Sequence, residues 1–126
     1  MKSRWVDVKG KRILYVDLSN FGDDTIGLEK ELAETIPNIG REMYEYQPHS
    51  VLVLVDLRNT AMTQASNRLL TERIEDTKKY IFRTAVVGLT GLRKVFLNYF
   101  AMLASSETGS FDEPDAAIEW LLKQAG

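Results

Sequence analysis

The run of aliphatic residues from Val51 to Val55 limits most strongly what this chain can fold into. It is far shorter than the ~20 residues that a membrane-spanning helix needs. An apolar run of this length predicts a strand that is buried on both faces. Such strands form the interior of parallel sheets, which helices cover on both sides. The segment from 84 to 88, which reads Thr-Ala-Val-Val-Gly, has the same character and predicts a second buried strand.

The beginning of the chain predicts two more strands, and residues 106–111 predict a short edge strand. Runs 4–8 and 12–17 flank Lys9-Gly10-Lys11, whose length and central glycine are typical of a tight hairpin. These three runs and the two buried strands together predict a sheet that opens with an antiparallel hairpin.

Four segments carry apolar residues at steps of three and four, which is the period of an amphipathic helix. Asp24 is the expected N-cap of the first, and Pro37 predicts a kink or a break within it because proline has no amide hydrogen. The segments run from Ile26 to Met43, from Ala65 to Ile81, from Leu92 to Leu103 and from Ala117 to Leu122. The order of elements predicts a single α/β domain over residues 1–126, with a mixed, mainly parallel sheet of about five strands and about four helices.

Composition excludes several classes of function. The chain has 126 residues, no cysteine, one histidine and a formal net charge of −2. Thiol catalysis and cysteine-based metal sites are therefore excluded, and a histidine-rich metal site is not expected. The acidic balance argues against binding of nucleic acid. We expect no cofactor, no metal and no membrane-spanning segment, and the absence of an apolar leader predicts a cytoplasmic protein.

Three segments give the chain a family resemblance: 53–56 (Val-Leu-Val-Asp), 85–94 (Ala-Val-Val-Gly-Leu-Thr-Gly-Leu-Arg-Lys) and 111–121 (Phe-Asp-Glu-Pro-Asp-Ala-Ala-Ile-Glu-Trp-Leu). With the order of elements, they resemble the STAS-like bacterial proteins related to the anti-sigma-factor antagonist. These proteins share a general architecture with the CRAL-TRIO (Sec14-type) domains. The resemblance spans nearly the whole chain and implies a STAS-like fold.

The resemblance also implies a partner-binding switch that is phosphorylated near the start of the helix after the central strand. Thr60, Thr63 and Ser66 occupy that region here. The Asp-Ser-Ser/Thr-Gly sequence that the antagonists carry is absent, so these three residues are candidates by position only.

Polar residues follow the predicted parallel strands where ligands of open α/β sheets bind. Asp17 and Asp56 each close a strand, and Thr90 follows another. Two carboxylates at one edge could serve acid-base chemistry or hold a divalent cation. The commoner role of an aspartate at this position is to accept backbone amides of the following loop, and we favour that interpretation.

Residues 88–94 join a buried strand to a predicted helix whose free amides would attract an anion. Arg93 and Lys94 lie in its first turn, beside Thr90 and Gly91, where positive charge is unfavourable. Either an internal carboxylate such as Asp56 or a bound phosphate or lipid headgroup could offset that charge. The stripe of Phe96, Tyr99 and Phe100 on the same helix could line an apolar pocket, or could simply form core.

The sequence leaves three hypotheses in order of preference. The first is a non-enzymatic module that binds a protein partner through a sheet edge or a helix, with phosphorylation as its control. The second is a carrier or sensor of a small amphipathic, lipid-like anionic ligand held at residues 90–100. The third, a hydrolase that uses Asp17 and Asp56, is disfavoured because no positioned nucleophile or metal accompanies them. Homodimer formation is left open.

Overall fold

A computed structural model describes residues 2–88 and 107–123. Its sheet contains, in spatial order, β1 (Arg4–Val8), β2 (Lys11–Asp17), β3 (Val51–Asp56), β4 (Ile81–Val87) and β5 (Glu107–Phe111). β1 pairs with β2 antiparallel, and every later pair of neighbours is parallel. The mixed sheet with an opening antiparallel hairpin is therefore confirmed. The hairpin turns at Lys9 and Gly10, both with positive φ, of 51° and 80°.

Helical segments connect and cover the strands. They are α1 (Thr25–Lys30), a π-helical turn (Glu31–Thr35), α2 (Ile36–Gly40), a 3-10 turn (Arg41–Glu45), α3 (Gln64–Thr77), a second 3-10 turn (Lys78–Tyr80) and α4 (Pro114–Lys123). The helix predicted from Leu92 to Leu103 lies outside the described residues. No helix in the described part of the chain is long and apolar enough to cross a membrane.

The first helical stretch begins at a capping aspartate and contains a π-helical turn before its proline. Asp24 is its N-cap, and its Oδ1 accepts a hydrogen bond from the amide of Gly27 at 2.9 Å. Instead of breaking at Pro37, the chain widens into the π-helical turn just before it, and the amide of Ile36 donates to the carbonyl of Glu31. The helical path thus continues across a residue that has no amide to donate.

The predicted boundary between the second helix and the following strand is wrong. Ile81 fits the helical period, but it begins β4 and pairs with Val51. The α-helix ends at Thr77, and the 3-10 turn leads into the strand. Ile81 is 3% exposed. A buried aliphatic residue satisfies either period, so spacing alone could not place it.

Apolar layers lie on both faces of the sheet. On the first face, residues such as Val16 and Val53 pack with Leu28, Leu32 and Leu70 from the helices between β2 and β4. On the second face, Leu54, Ala85 and their neighbours pack with Ala117 and Leu121 of α4. Helices on both faces explain why every residue of β3 is buried.

A buried arginine of β4 connects this strand to β5 and α4. Arg83 in β4 is 1% exposed, and its guanidinium pairs with Glu107 of β5. Its Nη1 donates to the carbonyl of Trp120 in α4 at 3.1 Å. The guanidinium also lies 4.4 Å from the centre of the Trp120 ring. One side chain therefore joins β4, β5 and α4.

Candidate functional site

Two loops at the carboxyl end of the sheet form a single surface. They are residues 18–24 after β2 and residues 57–63 after β3, and we call them the double loop. Backbone hydrogen bonds of 2.8–3.0 Å continue the parallel pairing beyond the strands: Leu18 to Asp56, Asn20 to Arg58, Gly22 to Asn59 and Ala61 to Gly22. The loops are therefore held together by their main chains.

Side chains reinforce the double loop. The hydroxyl of Thr60 donates to the carbonyl of Leu18 at 2.6 Å and accepts from the amide of Phe21 at 3.1 Å. The side-chain amide of Asn59 donates to that of Asn20 at 2.9 Å. Both asparagines have left-handed backbones, with φ of 56° and 60°, a conformation that asparagine tolerates better than most residues.

Asp56 lies beneath the double loop and is fully buried. It accepts hydrogen bonds from the Tyr15 hydroxyl at 2.7 Å and from the Arg58 amide, Nε and Nη2 at 3.1, 3.0 and 2.9 Å. Burial, together with the bond to Asp56, raises the pKa of Tyr15 well above its usual range. The same carboxylate raises the pKa of Arg58. Asp56 is thus occupied by donors from its own chain.

Asp17 lies beside Asp56 as its register partner. It accepts hydrogen bonds from the amide and hydroxyl of Ser19, and Arg4 and Lys2 pair with it at 3.1 and 3.8 Å. Partial burial acts to raise the pKa of Asp17, but the bonds from Ser19 and Arg4 and the charge of Lys2 outweigh it, so the pKa is lowered.

The sheet places Asp17 and Asp56 together at its carboxyl edge. Each accepts the amide of the residue two positions further on, the arrangement that we favoured from the sequence. Within residues 2–88 and 107–123, no group of three acidic or histidine side chains could hold a metal ion. Ligand binding or acid-base chemistry by these two residues stays a prediction.

Gly88 lies close against Arg58, the residue that donates to Asp56. Its φ is +84°, and a Cβ at this position would lie 2.6 Å from Cγ and 2.9 Å from the backbone nitrogen of Arg58. Neither the close approach nor the role of Arg58 was found from the sequence. The available signal was a glycine at the end of a buried strand and a basic residue two positions after a buried aspartate.

The other two phosphorylation candidates begin α3. Thr63 is the N-cap, and its hydroxyl accepts from the amide of Ser66 at 3.1 Å, while the Ser66 hydroxyl accepts from the amide of Thr63 at 2.7 Å. Ser66 is fully buried. With Thr60, all three candidate hydroxyls are engaged in hydrogen bonds within the chain.

The predicted anion site and aromatic pocket lie outside the described residues. They comprise Thr90, Gly91, Arg93, Lys94, Phe96, Tyr99 and Phe100. Both hypotheses stay predictions.

An exposed apolar residue follows the double loop. Ile26, in the first turn of α1, is 80% exposed. Tyr44, in the 3-10 turn before β3, is the other large apolar side chain exposed among the described residues, at 56%. Neither apolar side chain is therefore accounted for by packing in the core.

Comparison with known proteins bears on the fold. No family model matches the chain, and no curated protein matches it. A solved structure that is similar is an uncharacterized protein of the DUF3478 family with a SpoIIAA-like fold from Shewanella loihica PV-4. The TM-score is 0.66 at 13% identity, and the match covers 94% of this chain and 91% of that one. The chain therefore has a SpoIIAA-like, STAS-type α/β fold, as its sequence predicted.

Proposed function

We propose that this chain is a non-enzymatic, STAS-like regulatory module that binds a protein partner through the double loop and the first turn of α1. One observation carries the proposal. The two loops are joined by backbone hydrogen bonds into one preformed surface, while the acidic groups beneath them are paired internally.

A preformed surface favours binding because little conformational freedom is lost when a partner docks. The surface presents Ile26 as an apolar anchor and the exposed Asn20 and Asn59 of the two loops as polar groups. Apolar anchors within a polar surround are typical of protein interfaces.

The pairing of the acidic groups argues against a hydrolytic role. A general base needs a free lone pair within reach of a substrate proton. Asp56 is buried and surrounded by donors, and the lowered pKa of Asp17 makes it a weak base. We therefore place hydrolysis below partner binding.

Phosphorylation of Thr60 would act directly on this surface. Its hydroxyl hydrogen holds the carbonyl of Leu18, so esterification would remove that bond and place a phosphate between the two loops. We propose that this modification opens the double loop and changes partner affinity. Thr63 and Ser66 would act less directly, through the N-terminus of α3.

The test is partner capture with Ile26→Lys and, as a matched control, Tyr44→Lys. Both residues are exposed and outside the core, and Tyr44→Lys removes one edge-to-face contact, with Tyr80. We expect a partner retained by the wild-type protein and by Tyr44→Lys to be lost with Ile26→Lys. Native mass spectrometry of each variant separates a second copy of the chain from a different partner. Equal capture by all three proteins would contradict the proposed surface.

The lipid-like carrier is the second hypothesis from the sequence. Its residues, 90–100, lie outside the described part of the chain, so the double loop neither supports nor opposes it. It stays a prediction for that segment.

A further inference from the structure

A small apolar cavity lies between α2, α3 and the first face of the sheet. Its volume is about 80 Å³. Its walls include Val16 and Val53 of the sheet, Ile36 and Met43 from the first helical stretch, and Leu70 and Ile74 of α3. A cavity of ~150 Å³ holds benzene, so this space fits roughly three or four non-hydrogen atoms. Exposed Asp76 at its rim marks an opening to solvent.

A glycine creates part of this space. Gly40, the last residue of α2, is buried and has ordinary helical backbone angles. A Cβ built on it would meet no atom within 4 Å. A side chain at position 40 would therefore enter the cavity without a backbone clash.

Arg73, one of the residues that line the cavity, has a buried donor without an acceptor. The side chain of Arg73 lines the cavity. Its Nε is buried and has no hydrogen-bond partner in the described structure. Its Nη2 lies 3.3 Å from Asp76 and 3.7 Å from Glu72. A buried donor without a partner is rare because its desolvation is uncompensated, so an oxygen on a bound molecule would satisfy it.

The charges around Arg73 determine which kind of oxygen-bearing group can bind there. Two carboxylates already share one guanidinium, so a third would meet net negative charge, whereas a neutral carbonyl would not. We propose that the cavity binds a short, uncharged aliphatic molecule whose carbonyl oxygen accepts from Nε of Arg73. This site is separate from the double loop and does not depend on partner binding there.

Methyl-resolved NMR titration of the full chain tests the proposal. The probes are acetone, which carries the carbonyl; acetate, which has the same number of non-hydrogen atoms and carries a charge; and xenon, which has no acceptor. We expect saturable shifts of the Ile36, Leu70 and Ile74 methyl groups with acetone and with xenon, and weaker binding of acetate. The proposal is overturned if acetone does not bind or if acetate binds more tightly.

Three variants separate the two parts of the site. Arg73→Met removes the donor and keeps an aliphatic stem, so acetone should bind about fivefold more weakly, the effect of one hydrogen bond, while xenon binding is unchanged. Arg68→Met makes the same charge change at an exposed position of α3 and should leave both affinities unaltered. Gly40→Leu should abolish binding of both probes. Gly40→Ala, which should weaken the binding of both, takes its place if the leucine variant does not fold. Equal acetone affinity in wild type and Arg73→Met would refute the carbonyl contact.

Discussion

Replacement of Asp56 by asparagine should destabilise the fold strongly, although it removes no atom from the core. The asparagine oxygen can still accept from the Arg58 amide, but its NH₂ group would face the Tyr15 hydroxyl and Arg58 Nη2, both donors to Asp56 in the wild type. Breaking a fully buried ion pair costs about 3–5 kcal/mol. The Arg58 side chain is 36% exposed, so solvent recovers part of that loss and we expect about 2–4 kcal/mol.

Urea unfolding measures this effect. With a denaturant dependence of about 1.5–3 kcal/mol per molar urea, a loss of 3 kcal/mol lowers the midpoint by about 1–2 M. A double-mutant cycle with Arg58→Met should give a coupling energy of about 1–3 kcal/mol, because the two side chains share two hydrogen bonds. Arg4→Met, which removes a half-exposed partner of Asp17, should cost less than about 1 kcal/mol. A cost below about 1 kcal/mol for Asp56→Asn, or additive effects in the cycle, would refute the idea that this pair anchors the double loop.

Three further predictions follow from the same edge of the sheet. The raised pKa of Tyr15 predicts that one of the five tyrosines stays un-ionised above pH 10, and phenolate absorbance should show that Tyr15→Phe removes this late titration step. Because the pKa of Asp17 is lower in the folded state than its value of about 4 in the unfolded chain, the ionised carboxylate stabilises the fold above about pH 4. This contribution is lost as the pH falls through the folded-state pKa. The urea midpoints of wild type and Asp17→Asn should therefore converge below about pH 4, and a constant difference would contradict the assignment. Gly88→Ala should lower the free energy of unfolding by about 2–4 kcal/mol, because a left-handed backbone alone costs alanine ~1–2 kcal/mol and the added Cβ would displace Arg58. Thermal unfolding measures this loss, and a loss under about 1 kcal/mol would argue against the close approach of Gly88 to Arg58.

Local signals accounted for most of the sheet and for one helix boundary. The apolar run in β3 predicted burial on both faces because successive side chains of a strand alternate between faces and all of these are apolar. Lys9-Gly10-Lys11 predicted the hairpin because its length and central glycine suit a tight turn, and Gly10 has the positive φ that such a turn uses. Asp24 predicted the start of α1 because its carboxylate can accept a free amide in the first turn. Each inference needed only neighbouring residues.

The site depended on contacts that spacing could not reveal. Tyr15 and Asp56 are 41 positions apart and meet only because β2 and β3 pair in one particular register. Placement of both aspartates at one edge was predictable from parallel pairing, but the donors around them were not. The Gly40 cavity and the unpaired nitrogen of Arg73 likewise arise from how helices pack on the sheet, which periodicity does not determine.

The buried guanidinium of Arg83 also constrains the order in which a growing chain can complete its fold. β4 is synthesised before Glu107 and Trp120, the residues that pair with its arginine. Until both have left the ribosome, Arg83 lacks the carboxylate of Glu107 and the carbonyl of Trp120, and burial of a charge whose set of partners is incomplete is costly. Strands β1 to β3 can therefore associate early, whereas the second face of the sheet should close only after α4 has emerged. A nascent chain arrested before Trp120 should accordingly expose β4 to proteases and chaperones.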